Sequence, residues 1–149
     1  MVDPLVRRCS KLFVVDSLGR LLLFEGFDPS SPERGTWWFT PGGACESGES
    51  LEAAARRELG EETGVVVGDV GPVVLTRRFT WKFEGSRYDQ EEHYFVVRVP
   101  SSEVRNAGWT DNERRVALGW RWWTLEELRA TAERVFPDGL AELVEPLLA

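Results

Sequence analysis

Residues 51–62 read as a helix that carries acid on the face that should turn inward. Ser50 is a suitable N-cap, Leu51 to Glu62 is rich in Ala, Leu, Glu and Arg, and Gly64 is a natural C-cap. At ~100° per residue, Leu51, Ala54 and Ala55 mark the inner face. Glu58 and Glu62 fall on that face, Glu61 sits at its margin, and Ala53, Arg56 and Arg57 lie opposite. A lone glutamate on a helix is ordinarily a solvated charge. Here the spacing i, i+3, i+4 crowds like charges together, and burying unpaired carboxylates costs on the order of several kcal/mol each. Protonation or a multivalent cation relieves such a cluster. Hard oxygen donors suit Mg²⁺ or Mn²⁺ rather than zinc, since His93 is the only histidine and neither Cys9 nor Cys45 belongs to a ligand cluster.

The rest of the chain alternates short apolar runs with turn signals. Leu12–Val15 and Leu21–Phe24 bracket a tight turn, and Trp37–Phe39 reads as a strand stopped by Pro41-Gly42-Gly43. Val65–Val67, Val73–Leu75, Trp81 with Phe83, Tyr94–Val97 and Trp120–Trp123 read as further strands. Thr124 with Glu127 forms a capping box that opens a helix over Leu125 to Phe136. Leu140, Leu143, Val144, Leu147 and Leu148 give a C-terminal helix, interrupted or kinked near Pro146. Strands in the majority, with one central and two late helices, imply a mixed sheet covered by helices.

The 149 residues have room for one domain, 1–149, with globular proportions of 42% hydrophobic and 29% charged residues. No apolar run is long enough for a membrane helix, and Met1-Val2-Asp3-Pro4 lacks a signal peptide's layout, so a cytoplasmic location without membrane partners is expected. The net charge of −7 disfavours nucleic acid as a partner unless a local patch or a bound cation reverses it. Lys11 and Lys82 are the only lysines, the other sixteen bases being arginine. Genome composition is the plain reading of that bias, and phosphate recognition by arginine's planar fork is the functional alternative.

Gly43, five residues, Glu49, seven residues, then Arg57-Glu58-Leu59-Gly60-Glu61-Glu62-Thr63-Gly64-Val65 resembles a complete Nudix box. Trp38–Gly43 is similar to the strand and turn that enter such a box, and Arg121–Leu128 to the family's late strand and helix. The resemblance implies an α/β/α sandwich around a mixed sheet, with the box as loop–helix–loop. It implies hydrolysis of a nucleoside diphosphate linked to a further moiety, a small-molecule substrate, with Mg²⁺ (or Mn²⁺) as cofactor. Glu58, Glu62 and Glu61 are then the expected metal ligands, joined by the Gly42 carbonyl. Arg57 would orient Glu58, Glu49 would pair with Arg57, and Glu58 is one candidate for activating the water. Family members also use an acid outside the box, for which Glu113, Glu91 and Glu92 are the candidates.

Substrate recognition calls for an aromatic face and arginine. Trp38, Arg77, Arg78, Trp81 and Glu92 are the candidates, although Trp37 and Trp38 point to opposite sides of their strand and only one of them can face a cleft. The substrate stays open among nucleoside triphosphates, nucleotide sugars, ADP-ribose and dinucleoside polyphosphates. A sensor that binds nucleotide without catalysis is the alternative, weakened because every box carboxylate is present and the length leaves no space for an appended module. Removal of RNA caps would need a binding surface that the net charge does not advertise, and a homodimer is the oligomeric prior.

Overall fold

The computed structural model describes residues 6–148. Eight strands form one sheet: β1 (Val6–Val15), β2 (Leu21–Phe27), β3 (Thr36–Phe39), β4 (Gly42–Ala44), β5 (Leu75–Phe83), β6 (Ser86–Arg98), β7 (Ala117–Trp123) and β8 (Val135–Phe136). The helices are α1 (Leu51–Thr63), α2 (Asp111–Val116), α3 (Leu125–Ala130) and α4 (Leu140–Leu148). The sheet runs β5-β6-β1-β2-β3-β8, with β4 added to β1 and β7 to β2.

The sheet is mixed because β1 and β6 pair in parallel along their length, from Val6 against Asp89 to Val15 against Arg98. β1 and β2 pair antiparallel at Val15 and Leu21, across a turn whose amides Leu18 and Arg20 are held by the buried Asp16 carboxylate. Beyond that point the two strands take other partners. β1 pairs with β4 at Cys9–Lys11, and β2 pairs with β3 and β7. That divergence leaves a cleft between the two halves of the sheet.

Both faces of the sheet are covered, which is why its central strands are continuously apolar rather than alternating. Leu12, Val14, Leu22, Phe24, Phe95 and Val97 pack under Ala55 and Leu59 of α1. Phe13, Leu21, Leu23, Tyr94 and Trp123 pack on the other face against Leu140 and Val144 of α4. The α/β fold with helices on both faces is the one expected.

The local signals of α1 operate as read. The Ser50 side chain accepts the Ala53 amide at 3.1 Å, and Gly64 closes the helix in the left-handed region, φ 78°, with its N–H on the Gly60 carbonyl. Thr124 and Glu127 form the expected reciprocal cap of α3.

Three expectations about elements are corrected. α3 ends at Ala130, not Phe136, because Val135 and Phe136 pair in parallel with Trp38 and Phe39, and Pro137 disfavours a helical Phe136. Val65–Val67 and Val73–Val74 lie outside the ladder: Val65, Val67 and Val73 pack against the α1-side core, while Val66 is exposed and β5 starts at Leu75. α4 runs through Pro146 without interruption. The Met1-Val2-Asp3-Pro4 reading lies outside the described residues. Among the described residues, no helix is long and apolar enough to cross a membrane.

Candidate active site

The inward face of α1 delivers Glu58 and Glu62 to the point where β4 joins β1. Both side chains are buried, at 8% and 5% exposure, so the acid sits where the wheel placed it. The Gly42 amide donates to the two Glu62 oxygens at 3.3 and 3.2 Å. A Cβ on Gly43 would come within 2.7 Å of Glu58 Oε1, so the carboxylate rests directly against that glycine. Gly42 has φ 126°, and a Cβ there would strike the Ser10 carbonyl at 2.2 Å, so only glycine fits.

A third carboxylate reaches the pair from far along the chain. Glu113, on α2, places an oxygen with those of Glu58 and Glu62, all three within 4.8 Å of one another. Trp109 sets this approach by donating its indole N–H to the Glu62 carbonyl at 2.9 Å. Gly108 lies so close to α1 that a Cβ would be 2.7 Å from the Glu61 carbonyl. Thr110 and Glu113 cap α2 reciprocally, which fixes the Glu113 side chain through one oxygen.

Arg57 is the positive counterpart on the outer side. Its guanidinium binds Glu49 with two bonds of 2.8 and 2.9 Å, Glu58 at 3.0 Å, the Ala44 carbonyl at 3.1 Å and Glu61 at 3.3 Å. Those bonds hold the Glu49 carboxyl down at about 2. No arginine pairs with Glu62 among the described residues. Burial, reinforced by the Glu58 carboxylate alongside, drives its pKa well above the ordinary carboxylate range. Burial also raises Glu61, with Glu58 adding to the shift. Glu61 accepts from Arg57, whereas the carboxylates whose oxygens gather within 4.8 Å are those of Glu58, Glu62 and Glu113.

Glu62 and Glu113 line one side of a cleft of about 530 Å³, and Glu58 rests on Gly43, which also lines it. Its floor is one face of β5, β6 and β1, in rows set by the register. Tyr94, Lys11 and Gly42 form the row nearest the carboxylates, followed by Arg77, Glu92 and Cys9. Trp81 pairs with Tyr88 at the far end, and the two rings stack obliquely at 5.5 Å. Six residues of β6 separate the first row from the last, about 20 Å of strand. Trp37 closes the opposite side, with Arg34 and Arg134 over its ring at 5.3 and 5.4 Å.

Of the five substrate candidates, Arg77, Trp81 and Glu92 line this cleft. Trp38 and Arg78 are corrected. Trp38 is buried against Trp123 in the α4-side core and donates to Glu133, so its neighbour Trp37 takes the cleft. Arg78 follows Arg77 on β5 and faces away, as strand alternation requires. Among the acids outside the box, Glu91 binds His93 at 2.7 Å away from the trio, and Glu92 is buried on Tyr94 and Gln90 at 3.0 and 3.1 Å. Burial and the Glu92 charge push the Tyr94 phenol upward. Cleft residues not picked out from the sequence include Lys11, Arg7, Arg34 and Trp109, while Trp37 takes the place that strand alternation left open between the two tryptophans. The lysine scarcity was the one signal that pointed at Lys11.

Residues 7–144 match the family model for the NUDIX domain. The chain belongs to the Nudix family. It is a Nudix hydrolase, and the box residues are those just described on β4 and α1. An RNA pyrophosphohydrolase of Sphingopyxis alaskensis is 30% identical over 155 residues, covering 95% of this chain and 94% of that one. Another RNA pyrophosphohydrolase, of Novosphingobium aromaticivorans, is 41% identical over 131 residues, covering 82% and 80%. The MutT protein of Methanosarcina mazei Go1 superposes with a TM-score of 0.73 at 18% identity, covering 98% and 95%, a likeness of fold.

Proposed function

We propose that this Nudix hydrolase cleaves a phosphoanhydride bond of a nucleoside 5′-polyphosphate with the help of Mg²⁺ or Mn²⁺. The observation that carries the reading is the convergence of Glu58, Glu62 and Glu113 within 4.8 Å at one side of an aromatic and basic cleft. The donor set fits the cation: all oxygen, two of three groups buried, and Glu62 without a compensating arginine. Glu58, Glu62 and Glu113 would hold it, with Glu61 and the Gly42 carbonyl as outer donors. The chemistry such an ion supplies is screening of the diphosphate charge and acidification of a water.

The protein's own groups do the rest. Arg57, itself held by Glu49, donates to Glu58 at 3.0 Å and would orient it. The Trp81 and Tyr88 rings offer a face for a nucleobase. Arg7 and Arg77 line the floor without a carboxylate partner among the described residues, and suit phosphate oxygens.

A second reading, the 5′-triphosphate end of an RNA, is favoured by the relatives' names and by those cleft cations, which locally offset a net charge of −7. A panel with Mg²⁺ separates the two: nucleoside triphosphates, nucleotide sugars, ADP-ribose, dinucleoside polyphosphates and a 5′-triphosphorylated oligonucleotide. Cleavage of the small nucleotides, read as phosphate or pyrophosphate from the triphosphates and as the new nucleotide products from the others, supports the first reading, and cleavage of the oligonucleotide alone supports the second. A flat panel removes catalysis and leaves nucleotide sensing.

A further inference from the structure

We propose that Lys11 is a substrate-binding residue that grips the phosphate next to the bond being broken. The inference rests on the hydrolase reading above and adds a residue to it.

Lys11 sits in the floor row nearest the carboxylates, paired in register with Gly42 of β4 and with Tyr94 of β6. Gly42 donates its amide to Glu62, so Lys11 and the trio meet across a single residue. The ammonium donates to the Thr40 carbonyl at 2.8 Å and lies 5.8 Å from the centre of the Phe39 ring. It pairs with no carboxylate among the described residues, although Glu62 is close enough to feel its charge. An ammonium has three donors, and Thr40 uses one. The side chain is half-buried on the cleft wall, so the remaining donors face what the cleft holds.

The residue type is itself informative. In a chain with sixteen arginines and two lysines, arginine is the default base. At this position a guanidinium's planar fork would find the Glu62 carboxylate and bind it as Arg57 binds Glu49. That pair would neutralise a ligand of the cation. A compact ammonium, satisfied in part by a backbone carbonyl, leaves Glu62 free and still offers charge to a phosphate that gains negative charge as the bond breaks. The plain alternative is a strut: Lys11 tying β1 to the β3–β4 turn through Thr40.

The test compares wild type with Lys11→Met and Lys11→Arg, each checked for folding by thermal melting. Binding of imidodiphosphate in the presence of Mg²⁺ is measured by calorimetry, alongside kcat and KM on the best substrate of the panel. The proposal expects Lys11→Met to weaken imidodiphosphate binding and to lower kcat/KM by about 10²-fold, the usual effect of removing one preorganised donor. It expects Lys11→Arg not to restore activity and to raise the Mg²⁺ concentration needed for half-maximal rate. A folded Lys11→Met that binds imidodiphosphate and turns over like wild type overturns the proposal and leaves the strut. If Lys11→Met does not fold, Lys11→Gln, which keeps a donor for Thr40, is read by the same criteria. Wild type inactive on the whole panel would defeat the hydrolase reading, while the calorimetry would still decide whether Lys11 binds a diphosphate.

Discussion

Trp109 hangs from the backbone of Glu62: its indole N–H donates 2.9 Å to the carbonyl of a residue 47 positions earlier. The ring also packs edge-on against Phe24 at 5.5 Å and Trp120 at 5.8 Å. With the Arg105 amide on the Thr63 carbonyl and Gly108 against Glu61, this indole bond docks the segment that leads into α2 and helps set where Glu113 meets Glu58 and Glu62. Trp109→Phe keeps most of the packing and removes the bond. We expect a stability loss of about 1 kcal/mol, the usual net value of one hydrogen bond, and a higher half-saturating Mg²⁺ concentration. Denaturant melts and a metal titration of the rate check both, and an unchanged metal requirement would show that Glu113 is placed by other contacts.

Glu58→Gln and Glu62→Gln should each lower turnover by orders of magnitude and leave the protein folded. Glu62→Gln should also melt no lower than wild type when metal is removed, since it abolishes a charge that burial and Glu58 disfavour. Steady-state rates and melts in chelator test the pair. Wild-type turnover in both variants would take these residues out of the site.

Gly42 and Gly43 should respond differently to alanine. At Gly43 the added methyl meets the movable end of Glu58, so the fold should survive within about 0.5 kcal/mol while activity falls. At Gly42 the methyl meets backbone at a positive φ, and the protein should lose several kcal/mol, on the scale of strained or overpacked sites. Equal destabilisation of both variants would contradict the placement of Glu58.

The two kinds of shifted carboxylate predict opposite pH trends. Glu62 binds its proton more tightly folded than unfolded, so its contribution is full below the unfolded value near 4.5 and fades as pH rises through the folded one. Glu49, held at about 2 by Arg57, contributes above 4.5 and is lost as pH falls toward 2. The metal-free protein should therefore melt higher in mild acid than at neutral pH, and lose stability again below 4.5. Saturating Mg²⁺ should flatten the neutral side. A metal-free melting temperature that climbs steadily toward neutral pH would contradict the burial of Glu62.

What the sequence disclosed was mainly local. Ser50, Gly64 and the wheel positions of Glu58 and Glu62 are fixed within a few turns of helix, and the structure keeps them. The long-range pairings were silent. Val135 and Phe136 read as helix because their partners, Trp38 and Phe39, lie nearly a hundred residues earlier. Glu113 stood level with Glu91 and Glu92 until the docking of Gly108 and Trp109 on α1 singled it out. Strand alternation could have separated Arg77 from Arg78. It stated that either Trp37 or Trp38 faces the cleft, but the choice depends on which side the α4 layer covers.

The central claim is that Glu58, Glu62 and Glu113 together hold a divalent cation. Anomalous scattering from crystals grown with Mn²⁺ tests it most directly. The account predicts a peak coordinated by all three carboxylates, with Glu61 remaining on Arg57. Manganese bound elsewhere, with no peak between these side chains, would contradict it.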